Sequence, residues 1–106
     1  MERVGFLLKI RRDKMDEYRK QHESVWPEML DALKRWGWHN YSLFLTDDGL
    51  LFGYLEAEES FQKSLDGMAA EEVNSRWQEF MAPYFEGVPG RPDESMTRLE
   101  HVFYLK

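Results

Sequence analysis

The stretch Trp38-His39-Asn40-Tyr41-Ser42-Leu43-Phe44-Leu45-Thr46-Asp47-Asp48-Gly49-Leu50-Leu51-Phe52-Gly53-Tyr54-Leu55-Glu56-Ala57-Glu58 reads as two extended runs joined by a tight turn. In the first run His39, Tyr41, Leu43 and Leu45 alternate with Asn40, Ser42 and Phe44, the two-residue period of a strand. Asp47-Asp48-Gly49 supplies the residue types that a chain reversal needs, and Leu50–Glu58 resumes the extended pattern. A β-hairpin at the centre of the chain follows.

Working outward, Val4, Phe6, Leu8 and Ile10 alternate with Arg3, Gly5, Leu7 and Lys9, giving a strand near the start. Between this strand and the hairpin, Met15, Tyr18, His22, Trp26 (or Val25), Met29, Leu33 and Trp36 recur at three- and four-residue steps, one face of a long amphipathic helix. Asp13 is placed to cap it, with Asp16 and Glu17 in its first turn, Lys34 and Arg35 in its last, and Gly37 at its end. Pro27 removes a backbone donor, so a kink or restart is expected near Ser24–Trp26. After the hairpin, Ser60 caps a short helix carrying Phe61, Leu65 and Met68. A second helical stretch holds Val73, Trp77, Phe80, Met81 and Tyr84, with Pro83 disturbing its end. Gly87–Asp93 is a loop long enough to have a task of its own. Leu99–Leu105 is expected as a fourth strand.

The order is β-α-β-β-α-β, an α+β arrangement of the ferredoxin-like kind, in which helices cover only one face of the sheet. Residues 1–106 leave room for a single domain. Leu7, Phe44 and Leu51 make the strands apolar on both sides, so the bare face wants a cover. A second copy of the chain is the simplest one, giving a homodimer, a dimeric α+β barrel, with a pocket between helices and sheet.

Composition narrows the function. With 14 basic and 20 acidic residues the net charge is −6, which repels phosphate backbones and anionic lipid and makes nucleic acid and membrane surfaces poor partners. Cysteine is absent, so no disulfide framework, thiolate metal site or Cys nucleophile is available. No leader peptide or membrane span is read, and a cytoplasmic setting is the expectation. Aromatic residues make up 15% of the chain, and they must cover a core, a partner subunit or a ligand.

His22, His39 and His101 show none of the spacings of a zinc site, and neither a nucleophile elbow nor a glycine-rich phosphate loop is present. Tyr18, His22 and Trp26 are spaced four apart and would present a phenol, an imidazole and a flat apolar plate to one volume. A stripe of this kind is by itself more commonly core than site. The same holds for His39-Asn40-Tyr41 as a partly exposed strand, and for Trp77, whose default is packing with Val73 and Phe80.

The segment His22-Glu23-Ser24-Val25-Trp26-Pro27-Glu28 resembles the His-x-x-x-Trp-Pro-Glu pattern of the L-rhamnose mutarotases. Gly37-Trp38-His39-Asn40-Tyr41 is similar to their Gly-x-His-Asn-Tyr strand, Arg76-Trp77 to their Arg-Trp helix, and Val102–Leu105 to their closing strand. The resemblance runs from the first strand to the C-terminus. It implies a dimeric α+β barrel that interconverts the anomers of a 6-deoxy sugar with neither metal nor cofactor. It also implies His22 as the acid/base and Tyr18, Tyr41 and Trp77 as sugar-binding residues, with Trp26 and Asn40 beside them. Some members carry Trp-Trp where this chain has Trp77-Gln78, which brings Gln78 into the site, and the Asp47–Gly49 turn is one residue shorter. The sugar, L-rhamnose or a relative such as L-fucose, is left open.

The chemistry suits these residue types. Mutarotation takes a proton from the anomeric hydroxyl and gives one to the ring oxygen, and an imidazole titrating near neutrality serves both steps. Two other readings stand beside it: a cofactor-free monooxygenase or isomerase on a dimeric α+β barrel, and a non-catalytic dimeric binding module.

Overall fold

The hairpin forms as the sequence predicts. In the computed structural model, which describes residues 1–106, strand β2 (Trp38–Leu45) turns into strand β3 (Leu50–Ala57). The Thr46 amide donates to the Leu50 carbonyl at 2.9 Å, and Gly49 takes a φ of +95° that only glycine adopts freely. Strand β1 (Glu2–Lys9) pairs antiparallel with β3 along its whole length and with a short strand β4 (Thr97–Arg98) on its other side. The sheet order is β2-β3-β1-β4, the ferredoxin-like order.

Between β1 and β2 the single long helix of the sequence reading is two. Helix α1 (Met15–Gln21) ends at His22, and helix α2 (Pro27–Arg35) begins with the proline at its first position. Proline lacks the donor that an unbroken helix would use there and fits a first turn well, so the chain restarts rather than bends. Asp13 does not cap α1. It lies in a preceding single turn, Arg12–Lys14, 3.5 Å from Arg11. Gly37, at φ +77°, closes α2 as expected. Ser60 caps helix α3 (Phe61–Ala69) by accepting the Lys63 amide at 3.1 Å, and helix α4 (Glu72–Met81) gives way to a single turn at Pro83.

The helices lie on one face of the sheet. Val4, Phe6, Leu51 and Leu55 point into this layer and are at most 2% exposed. Gly53 shares that face because the Phe6 ring fills the place its Cβ would take. Leu51 therefore belongs to the core and not to the bare face. The bare face carries Leu7, Phe44, Phe52 and Tyr54, with Leu7 opposite Phe52 and Phe44 opposite Phe52 in the ladders.

Two further features depart from the sequence reading. The fourth strand is Thr97–Arg98 and not Leu99–Leu105. After the Leu99 amide donates to Gly5 the chain leaves the ladder, and Val102, Phe103, Tyr104 and Leu105 are exposed, with Tyr104 lying under the Arg3 guanidinium. The chain departs there although Glu2–Val4 of β1 still extend along that edge.

The second departure is a β-bulge in β2, where the register shifts between His39 and Ser42 and Asn40 adopts a φ of +48°. Strict alternation would put Tyr41 with His39. The extra residue puts it with Trp38, its ring 5.0 Å from that indole and 6.4 Å from Phe6. Asn tolerates the left-handed region better than any residue but glycine. Replacing Asn40 by Val should thus cost about 1–2 kcal/mol more than replacing it by Gly. Both changes delete the Asn40–Glu56 hydrogen bond, so their difference isolates the backbone. Urea unfolding of the two variants checks this; equal midpoints would show that the bulge is unstrained.

Candidate active site

A cavity of about 340 Å³ opens between the helices and the sheet, within the range of small-ligand sites. Each wall comes from a different element. Helix α1 contributes Tyr18 and, at its C-terminal cap, His22. Strand β2 contributes Tyr41, helix α4 contributes Trp77 and Gln78, and the segment after α4 contributes Asp93.

His22 is held on three sides. Its Nδ1 lies 3.1 Å from the Tyr18 carbonyl, its ring stacks on Tyr18 at 4.3 Å, and the Trp77 edge meets it at 5.8 Å. A carbonyl only accepts, so Nδ1 carries the proton and Nε2 is left as the basic atom. Burial lowers the proton affinity of the ring below the ordinary imidazole value, against the opposing pull of the Tyr18 carbonyl. The neutral form is the resting one.

Tyr18 is 5% exposed and its hydroxyl has no partner within the chain. Tyr41 is 38% exposed, and its hydroxyl is also free. Burial raises both phenols well above their ordinary range, reinforced for Tyr18 by Tyr41 and for Tyr41 by the Asp93 carboxylate. Both remain protonated donors at any working pH. Tyr18, Tyr41 and Asp93 thus share one cavity with His22, whose ring stacks on Tyr18.

Trp77 is the mechanical centre of the helical wall. Its ring packs against Trp26 at 4.9 Å and Phe80 at 6.0 Å as well as against His22. Gln78 reaches the wall too, but both ends of its amide are engaged. Its Nε2 donates to Asn74 Oδ1 at 3.0 Å, and its Oε1 accepts the Asp93 amide at 3.1 Å.

Two residues expected at the site lie elsewhere. Trp26 is not on the cavity wall: the helix break at Pro27 puts it at the head of α2, where it backs Trp77 and Phe80, and Val25 takes the wall position. Asn40 faces the other side of the sheet and donates to Glu56 at 3.1 Å, because the bulge that brings Tyr41 in turns Asn40 out. His39 does not line the cavity either; its Nε2 is 3.5 Å from Glu58.

Asp93 is, with Asn74, a polar wall residue that the sequence reading passed over. It sits in the long loop already marked as having a task, but nothing local distinguishes it from other loop acids. No three His, Asp or Glu side chains converge in a way that could hold a metal ion, and no helix is long and apolar enough to cross a membrane.

The family model for L-rhamnose mutarotase matches residues 3–105. The chain belongs to the L-rhamnose mutarotase family. Among curated relatives, the L-rhamnose mutarotase of Oceanobacillus iheyensis is 40% identical and that of Bacillus subtilis 39% identical, each alignment covering 99% of both chains. The crystal structure of an L-rhamnose mutarotase from Formosa agariphila superposes with a TM-score of 0.82 at 28% identity, covering 100% of both chains. Mutarotases are isomerases, and the enzyme class of the sequence reading stands on these matches.

Proposed function

We propose that this chain, one domain over residues 1–106, interconverts the α and β anomers of L-rhamnose with His22 as its acid–base group. The observation that supports this most directly is the His22 geometry: Nδ1 is committed to the Tyr18 carbonyl, and Nε2 is a free base on a cavity wall beside two unpartnered phenols. Nε2 takes the proton of the anomeric hydroxyl as the bond from the anomeric carbon to the ring oxygen breaks, and it returns that proton to the ring oxygen. The open aldehyde turns about its carbon–carbon bond and closes by the reverse steps. The imidazole starts and ends neutral, in keeping with its lowered proton affinity. Saturation-transfer NMR of L-rhamnose tests the function: exchange between anomeric signals should rise in proportion to added protein. No enhancement over buffer would overturn the reading.

Tyr18 and Tyr41 bind more than they catalyse, since phenols this reluctant to ionise act as hydrogen-bond donors. Phe at either position should weaken L-rhamnose binding by about 1–2 kcal/mol, the scale of one hydrogen bond lost in a closed site. Calorimetric titration of both variants measures it, and unchanged affinity in both would remove the phenols from the sugar.

The bare sheet face supports a homodimer. Phe44 is 60% exposed in the single chain, with Phe52 opposite it and Leu7 beyond, and the C-terminal residues Val102, Phe103 and Leu105 are also exposed. An apolar surface of this extent is uncommon on a monomer, and a second copy supplies a matching one. Light scattering at micromolar concentration should give twice the chain mass of 12.8 kDa. A well-folded monomer there would rule the dimer out.

A further inference from the structure

The Asp93 carboxylate is built into the cavity wall more firmly than any other polar group there. Arg91 Nε donates to Oδ1 at 3.1 Å and Arg91 Nη2 to Oδ2 at 3.0 Å, a two-pronged pair. Asn74, 1% exposed, donates its Nδ2 to Oδ2 at 3.0 Å and to the Met68 carbonyl at 3.0 Å. The Asp93 amide is fixed by Gln78, whose own amide is fixed by Asn74. Arg91 and Asn74 thus hold the carboxylate, and Gln78 its backbone, against an otherwise largely apolar cavity. The core would be simpler without them, since buried polar groups stabilise little unless all are satisfied.

A carboxylate offers about four acceptor positions. Arg91 fills two and Asn74 a third, and one on Oδ1 has no donor within the chain. Tyr41 lines the same cavity and is a donor with a free hydroxyl of its own. A donor and an unfilled acceptor on the wall of one cavity form the pattern that reads a ring hydroxyl, which both gives and accepts a hydrogen bond.

We propose that Asp93 is a specificity-determining residue: it accepts a hydrogen bond from one secondary hydroxyl of the sugar, and Asn74, Gln78 and Arg91 position it to do so. A site of this kind rejects an analogue that lacks the hydroxyl, because the carboxylate is then left desolvated and short of a partner. Gln78 acts on the sugar through Asp93.

The inference rests on the mutarotase reading of the cavity, and the test separates the two. Calorimetry gives the dissociation constants of L-rhamnose and its 2-, 3- and 4-deoxy analogues for the wild type and for Asp93→Asn. The wild type should lose about 10- to 100-fold on at least one analogue, the range for hydrogen bonds to charged groups. In Asp93→Asn, L-rhamnose itself should weaken by a similar factor, and the penalty on that one analogue should fall below about twofold while the others persist. Loss of loop structure alone would weaken all four sugars together and leave every penalty in place. That pattern, or wild-type affinity in the variant, overturns the proposal. If Asp93→Asn melts below the assay temperature, Asp93→Glu, which keeps the charge and shifts the acceptor by one methylene, is judged by the same criterion. Binding is read independently of turnover. Absent anomer exchange in the wild type would thus defeat the mutarotase reading while the affinities still decide the role of Asp93.

Discussion

Replacing His22 by Asn should slow anomer exchange by a factor of about 10²–10⁴ and leave the protein folded. At 1.4 kcal/mol per tenfold, this is roughly 3–5 kcal/mol of transition-state stabilisation. The expectation follows from where His22 sits. It caps α1 rather than lying inside it, it is half-buried, and its one hydrogen bond is to a backbone carbonyl that also accepts the His22 amide. Asn at a helix end is well tolerated, and the cavity beside it removes the penalty for a smaller side chain. Thermal melting together with saturation-transfer NMR at high sugar concentration measures both halves. Exchange at the wild-type rate in a folded variant would end the assignment.

The pH dependence has a definite sign. Burial holds the folded-state pKa of His22 below the ordinary value of 6.5, so the unfolded chain binds the proton more readily than the folded one. The stability that His22 lends by resting neutral is complete above about 6.5 and falls as pH drops from there toward the folded value. The acid limb of the exchange rate belongs to the folded protein and should therefore lie below 6.5. An acid limb above that value would mean that the titrating base is some other group.

Replacing Trp77 by Ala should remove about 3–5 kcal/mol of stability, a large share of the roughly 5–15 kcal/mol that a domain of this size possesses. Trp77 is 7% exposed and is the one side chain that touches Trp26, Phe80 and the His22 imidazole together. Its loss leaves Trp26 without its edge-on partner and His22 without its outer wall. The melting temperature should fall by at least roughly 12 °C, with sugar affinity falling too wherever the variant is still folded. Trp77→Phe retains an aromatic plate and should keep most of both. Urea unfolding followed by sugar titration orders the three proteins. A Trp77→Ala variant as stable as the wild type would mean that the indole serves the sugar alone.

The parts of this structure legible in the sequence are those set by local rules. The hairpin follows from a two-residue period and an Asp-Asp-Gly turn, the ends of α2 and α3 from Gly37 and Ser60, and the Tyr18–His22 pair from a four-residue step. What was hidden is set by single residues that break a period, or by partners distant in sequence. A bulge adds one residue to a strand without changing its composition, so nothing but Asn40 marks the place where Tyr41 changes sides. Pro27 announces a break, but only the packing of Trp26 onto Trp77 decides which way the indole leaves. Asp93 enters the site through Asn74 and Gln78, 19 and 15 positions earlier in the chain, a pairing that no local pattern carries. The apolar alternation of the last residues read as a strand, but the chain leaves the β1 ladder after Leu99.

The place of β1 in the sheet also bears on how the protein is made. It is the first strand to be synthesised and lies between β3 and β4, so its second neighbour comes from the far end of the chain. The Glu2 carboxylate spans the same distance, accepting the Phe61 amide at the head of α3 and, at 2.7 Å, the guanidinium of Arg98, 96 positions on. At about 5–20 residues per second, a nascent chain holds Val4, Phe6, Leu8 and Ile10 without that neighbour for roughly 5–20 seconds. A translation product that stops short of Arg98 never acquires it and carries an open apolar edge into the cell. The charges at Glu2, Arg3 and Lys9, which flank and interrupt those four residues, are then the guard against one such fragment pairing with another.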